Sequence, residues 1–273
     1  MVMAILGTLQ DLAGRGMAIP DLVIDAHAHM GAWHNFFIPW NDAKGMIEEM
    51  DRYGIDIACI ALHVGIGPDV VPANNITAKA IKDFPGRFLG YTCINPRYKD
   101  EVIPELKRCI EGFGMFGIKL HPGVHRYSVS SPMCTPVYEY ANENKLPILS
   151  HTWDNAKTLR NLAEQYPKIT FLVAHSSSIC AWGGEDYIEL AKERNNVYLD
   201  IASSIGIYGN IERLVMEVGA DKIIYGSDLP FVAIPGQFGQ LIWADISEED
   251  KLKIFGLNMK SIVEARYDKS FEL

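Results

Sequence analysis

At 273 residues the chain is long for one sandwich or bundle and ordinary for one α/β barrel, with enough length to bury a large core. Its 25 Lys+Arg against 34 Asp+Glu leave a net charge of -9, which repels phosphate backbones and anionic lipid, so neither nucleic acid nor a membrane surface is an expected partner. Five scattered cysteines without a C-x-x-C pair argue against a disulfide framework or a cysteine zinc cluster and suit a reducing compartment.

Residues 1–20 read as an N-terminal extension that forms a helix or a cap at the bottom of the domain. The opening "MVMAILGTLQDLAGRG" lacks a basic leader and carries Asp11, which makes it a poor signal peptide. No stretch reaches the roughly 18 uninterrupted apolar residues of a membrane helix. The expectation is a soluble, cytoplasmic protein with a single domain over 21–273.

From residue 22 onward, eight short apolar or β-branched runs follow one another: "LVIDAH", "IDIACIAL", "RFLGYTCI", "FGIKLH", "LPILSH", "ITFLVAH", "NVYLDIA" and "KIIYGSD". Between them lie helical stripes such as Val102, Ile103, Leu106, Cys109 and Ile110, or Leu159, Leu162, Ala163 and Tyr166. Near-continuous apolar strands alternating with amphipathic helices mean a parallel sheet covered on its outer face, and eight such units predict a (β/α)8 TIM barrel. The alternative, an open doubly wound sheet, lacks the G-x-G-x-x-G expected after its first strand. The segment "SEEDKLKIFGLNMKSIVEARY" predicts extra C-terminal helices that close the barrel.

In this fold the active site sits at the C-terminal ends of the strands. All eight histidines fall there: His27, His29 and His34 with the first strand, His63 with the second, His121 and His125 with the fourth, His151 with the fifth and His175 with the sixth. Strand alternation places Asp25, His27 and His29 on one face, with Ile24, Ala26 and Ala28 turned to the helices. It likewise groups Gly117, Lys119 and His121, and Gly226 with Asp228. Imidazole nitrogens with a carboxylate form a ligand set for zinc, and equally for cobalt, nickel, manganese or ferrous iron, in a site that keeps one position open.

The stretches "IDAHAHMG", "LPILSHTWD", "FLVAHSS" and "IYGSDLP", supported by "FGIKLHP" and "IFGLNMKSIV", resemble the amidohydrolase superfamily. The likeness is to its amidohydrolase-2 branch, which includes the decarboxylases of the aminocarboxymuconate-semialdehyde type. The resemblance implies that His27, His29, His151 and Asp228 hold one divalent ion, most readily Zn2+, with Mn2+, Co2+, Ni2+ or Fe2+ as alternatives, and that His175 stands by as a catalytic acid or base. Lys119 lies near the place where many superfamily members hold a second ion on a carboxylated lysine, but the branch resembled uses one metal. Lys119 therefore reads either as a functional group or as a buried ammonium paired with a carboxylate such as Asp25.

Such a site activates water for attack on a carbonyl, with Asp228 passing the proton, so the first expectation is a metal-dependent hydrolase of a small amide, lactone or ester. The alternative is a non-oxidative decarboxylase of an aromatic or unsaturated acid; a third reading is a catalytically silent metal- or ligand-binding barrel. Trp33, Phe36, Phe37 and Trp40 after the first strand, with Trp153 and Trp182, suggest a lid or an apolar wall. Their other reading is a loop core or the interface of a homodimer. Arg97 and Arg126 could clamp a substrate carboxylate, and His121 and Lys119 join them as candidate substrate contacts.

Overall fold

The computed structural model describes residues 7–35, 37–180, 183–202, 206–268 and 270. Eight strands carry the fold: β1 (Ile24–Met30), β2 (Ile57–Leu62), β3 (Phe88–Cys93), β4 (Gly117–Leu120), β5 (Pro147–Ser150), β6 (Thr170–Val173), β7 (Val197–Asp200) and β8 (Ile223–Ile224). Each pairs in parallel with the next, in the order β1 to β8. The seam is drawn together by two backbone bonds: Ala26 N–H donates to the Tyr225 carbonyl at 2.9 Å and Asp228 N–H to the His27 carbonyl at 2.8 Å. The predicted (β/α)8 barrel is the observed architecture.

Local chemistry starts the outer helices where the sequence implies. Asp42 accepts from Gly45 N–H at the head of Ala43–Tyr53, and Asn155 accepts from Thr158 N–H at the head of Ala156–Gln165. Gly54, at φ 70°, ends the former in the left-handed conformation that a glycine adopts without strain. Val102, Leu106, Cys109 and Ile110 are buried as predicted, as are Leu159, Leu162, Ala163 and Tyr166.

The apolar interior has two parts. A large cluster lies between strands and helices, and a smaller one fills the barrel, joining Cys59, Tyr91, Phe116, Leu149, Leu172 and Ile224 to Met259, Ile262 and Val263 of the helix Asn258–Tyr267. That helix plugs the bottom of the barrel. The N-terminal segment forms the helix Leu9–Gly14, whose Leu9 and Leu12 enter the larger cluster and whose Leu9 N–H donates to the Glu248 carboxylate at 2.6 Å.

The strict alternation expected along β1 is corrected. Its pairing with β2 shifts between Asp25 and Ala28, so three steps on β1 oppose two on β2. Ile24 and Ala26 consequently pack inside the barrel while Ala28 turns to the helices. Asp25 sits in the wall, where its carboxylate accepts from His27 N–H and Ser227 N–H, both at 3.0 Å, and from the Ser227 hydroxyl.

Among the described residues no helix is long and apolar enough to cross a membrane. All five cysteines are free and buried.

Candidate metal centre and active site

Within and just past its irregularity, β1 delivers His27 and His29 to the mouth of the barrel, and the turn after β8 delivers Asp228. His29 Nε2 and Asp228 Oδ1 are 3.2 Å apart, His27 Nε2 and Asp228 Oδ1 3.6 Å, and the two imidazole Nε2 atoms 3.2 Å. Among the described residues, His27, His29 and Asp228 form the group whose ligand atoms lie within 4.8 Å of one another. Asp228 holds φ 63° and His175 φ 58°, left-handed conformations that are uncommon outside glycine and that collect at functional sites.

Hydrogen bonds assign the tautomers. His27 Nδ1–H donates to Asp200 Oδ2 at 2.6 Å, and His29 Nδ1–H to the Ala61 carbonyl at 3.0 Å. Each neutral ring therefore turns an Nε2 lone pair toward the Asp228 carboxylate. Three acceptors facing one another repel unless a cation or a donor lies among them, which is what a metal centre with carboxylate and carbonyl partners behind its imidazoles requires. Lys119 Nζ supplies a donor to His27 Nε2 at 2.8 Å. The pairing of Lys119 with Asp25 expected from the sequence is thus replaced by a contact to His27, because Asp25 is engaged in the wall by Ser227.

Beside this group, His175 Nδ1–H donates to the Ala202 carbonyl at 3.1 Å, and its Nε2 accepts from His151 Nδ1–H at 3.1 Å. His151 thereby keeps its Nε2 lone pair. It stands outside the close group of three, stacked on His121 with centroids 4.1 Å apart.

The charge state suits a divalent ion. Burial, with Lys119 nearby, holds His27 well below its ordinary value, and burial with His175 brings His151 down to about 3. Burial lowers His175, and burial brings His121 down to about 2, both staying neutral in the ordinary range. Burial alone would raise Asp228, but a proton placed on His29 Nε2 between the two groups, with the charge of Lys119 nearby, holds it well below the usual carboxylate range. Lys119 is pulled down to about 8 by burial, against Asp228 and Asp200.

These groups open on a cavity of about 220 Å³. His29, His121, His151, His175 and Asp228 line one part, and Trp33, Ile66, Val124 and Phe231 the apolar part, with His63 between Trp33 and Phe231. A cavity of about 150 Å³ suffices for benzene, so one ring with a small substituent fits.

Of the remaining candidates, Trp33 is at the cavity but Trp153 is not. Trp153 is 0% exposed, packs on Phe171 and donates its indole N–H to the Leu172 carbonyl at 3.1 Å, which makes it core between β5 and β6. Arg97 and Arg126 line a separate depression with Asn95, Tyr98 and His125, and Arg97 donates to the Arg126 carbonyl at 3.1 Å. Neither arginine lines the cavity. Phe37 and Trp40 point to solvent, 87% and 69% exposed, while Phe36 and Trp182 lie outside the described residues. His125 braces a loop through Gly67, its Nε2–H donating to that carbonyl at 2.9 Å.

The residue missed in the sequence is Asp200, the last of β7 and fully buried. Its signal is a lone acid within "NVYLDIA", at the strand end where the other polar site residues fall. Gly226 makes room for it, since a Cβ there would sit 2.2 Å from Asp200 Oδ1 and 2.8 Å from His27 Cβ.

The profile of the amidohydrolase family matches residues 24–259. A gamma-resorcylate decarboxylase of Rhizobium sp. (strain MTP-10005) is 22% identical, the match covering 78% of this chain and 84% of that protein. A 2-amino-3-carboxymuconate-6-semialdehyde decarboxylase of Dictyostelium discoideum is 26% identical over 123 residues, 41% of this chain; that match spans only 34% of the relative's length. Among solved structures, a 5-carboxyvanillate decarboxylase from Novosphingobium aromaticivorans, complexed with manganese, superposes with a TM-score of 0.71 at 16% identity, covering 90% of this chain and 96% of the other. A 4-oxalomesaconate hydratase from Rhodopseudomonas palustris superposes with a TM-score of 0.66 at 17% identity, covering 90% and 97%. At these identities the structural likenesses speak for a shared fold.

Proposed function

The chain belongs to the amidohydrolase family, and on that premise we propose that it is a metal-dependent, non-oxidative decarboxylase of a small aromatic or unsaturated carboxylic acid. The observation that carries the reading is a cavity with ionised Asp228 and neutral imidazoles beside Trp33 and Phe231, in a chain similar to two decarboxylases. The hydrolase expectation takes second place, because the same residues serve either reaction and the relatives favour the loss of CO2.

His27 and His29 through Nε2, and Asp228 through its carboxylate, are proposed to hold a divalent ion, with His151 Nε2 as a further ligand. Zn2+ suits this nitrogen and oxygen set, and Mn2+ is the ion in the 5-carboxyvanillate decarboxylase. The bound ion supplies a Lewis acid that fixes and polarises an anionic oxygen of the substrate.

The chain's own residues do the rest. Trp33, Ile66, Val124 and Phe231 hold the apolar part of the acid and exclude water. Asp228, ionised at rest, takes up one proton from the incoming acid or from solvent and delivers it to the carbon that bears the carboxylate; the bond from that carbon to the carboxylate carbon then breaks, its electron pair returns to the unsaturated system, CO2 leaves, and Asp228 is again ionised. His175, fixed by the Ala202 carbonyl, keeps His151 in one tautomer and places a second proton-handling imidazole beside the reacting carbon. Asp200 is a positioning residue: it holds the His27 proton on Nδ1 so that Nε2 faces inward.

The test is to purify the protein after growth with metal supplied, measure its metal content, and offer it aromatic and unsaturated carboxylates beside lactones and amides. CO2 released in step with loss of the acid supports the reading. Incorporation of ¹⁸O from labelled water into a lactone or amide product without CO2 would restore hydrolysis. Less than about half an equivalent of a divalent ion would remove the metal from the account.

A further inference from the structure

One side chain in the cavity carries an atom that the proposed reaction does not use. His63, the first residue after β2, is only 2% exposed. Its Nδ1–H donates to the Gly31 carbonyl at 2.7 Å, which fixes the proton on Nδ1 and leaves the lone pair on Nε2. That Nε2 is buried and has no hydrogen-bond partner. The ring lines the cavity, stacked on His29 with centroids 4.9 Å apart and planes 25° apart, and flanked by Trp33 at 5.4 Å and Phe231 at 6.0 Å. A buried acceptor in an apolar wall is unfavourable until a donor meets it, so it selects a ligand that brings one.

We propose that His63 Nε2 is a hydroxyl-recognition point, accepting a hydrogen bond from a ring hydroxyl of a substrate whose ring packs against Trp33 and Phe231. The proposal rests on the decarboxylase reading for the acid group and narrows it to hydroxylated aromatic acids, as against unsubstituted or O-alkylated ones. His63 acts on specificity, since its stacking on His29 places it beside the metal-binding group without joining the three atoms that face one another there. An ether or a bare ring in the same place leaves Nε2 unpaired and binds more weakly.

Binding, read without turnover, tests this. The metal-loaded protein is titrated calorimetrically with ortho-, meta- and para-hydroxybenzoate and with the methyl ether of each. At least one hydroxybenzoate should bind about tenfold more tightly than its ether, the size expected of one well-placed hydrogen bond. In His63→Asn the amide N–H can still donate to Gly31 but Nε2 is gone; the preference should fall to within about twofold while affinity for the ether holds. His63→Gln offers an amide oxygen near the lost nitrogen and should recover part of the preference. A preference retained in His63→Asn overturns the proposal, as does its absence from the unaltered protein. So does a parallel loss for hydroxybenzoate and ether in a variant whose melting temperature is unchanged, the mark of a merely structural role. CO2 release from the same panel is scored separately. Release with no His63-dependent preference leaves decarboxylation standing and removes the hydroxyl contact; the reverse pattern keeps the contact and removes the reaction.

Discussion

The two ends of the same eight strands are built on opposite terms. At the mouth, imidazole lone pairs and an ionised carboxylate are turned on one another, and Asp228 and His175 hold left-handed backbone. At the bottom, Met259, Ile262 and Val263 of the last helix close over Ile24, Phe116 and Leu172 with apolar surface, and Asn258 ties that helix to the Ala220 and Ile223 carbonyls. The difference teaches where to look for each property: the lower end supplies stability, which lets the upper end keep an arrangement that is unfavourable until something binds.

Changes at the two ends should therefore separate. The largest effect is expected from Asp228→Asn, which should lower turnover at least about a thousandfold and reduce metal content, while moving the melting temperature by no more than a few degrees. A collapse of the fold in that variant would break the contrast. Next comes Gly256→Ala at the bottom, where a Cβ would lie 2.0 Å from the Leu22 carbonyl oxygen. Backbone cannot yield as a side-chain tip does, so urea unfolding should show a loss of about 3 kcal/mol or more, with metal bound per folded molecule unchanged. Ile262→Val, which removes one buried methyl group from the plug, should cost about 1 kcal/mol and leave kcat/KM within twofold or so.

A diffuse effect of pH sharpens the comparison further. His27, His63, His121, His125, His151 and His175 are all lowered by burial, His63 to about 4 and His151 to about 3. Unfolded, they take up protons below their ordinary 6.5, so the stability they confer is present above that value and is lost as pH falls toward their folded values. Asp25 and Asp200, raised by burial to about 7 and about 8, act in the opposite sense, gaining stability as pH falls, but two carboxyls do not offset six imidazoles. The metal-free protein should melt at progressively lower temperature from pH 6.5 toward 4, and His121→Asn should flatten that slope. A flat profile would show that the mouth does not hold neutral imidazoles.

The barrel was legible because periodicity repeats eight times and each repeat supports the others. The site was legible in part because its residues sit at strand ends, a position that can be counted along the chain. What the sequence hid has a physical reason in each case. The extra residue in β1 leaves no mark on a pattern of small and apolar residues, so strict alternation assigns Ile24 and Ala26 to the wrong side. Asp200 gains its role from a contact 173 residues away, which no local spacing records. Trp153 looks like a mouth residue by number, but an indole N–H needs a buried acceptor and finds it at Leu172 between two strands. Arg97 and Arg126 lie on loops, whose side-chain directions periodicity does not constrain.

The barrel seam has a consequence in time as well as space. Ser227 closes on Asp25 across 202 residues, at the junction where His27 and His29 come from the first strand and Asp228 from just past the last. A growing chain that has not yet released residues 223–230 holds the proposed imidazole ligands without the Asp228 carboxylate that completes them. If the proposed ion binds there, tight binding should therefore appear late and abruptly as the chain lengthens, so that its capture would report that the whole ring has been assembled.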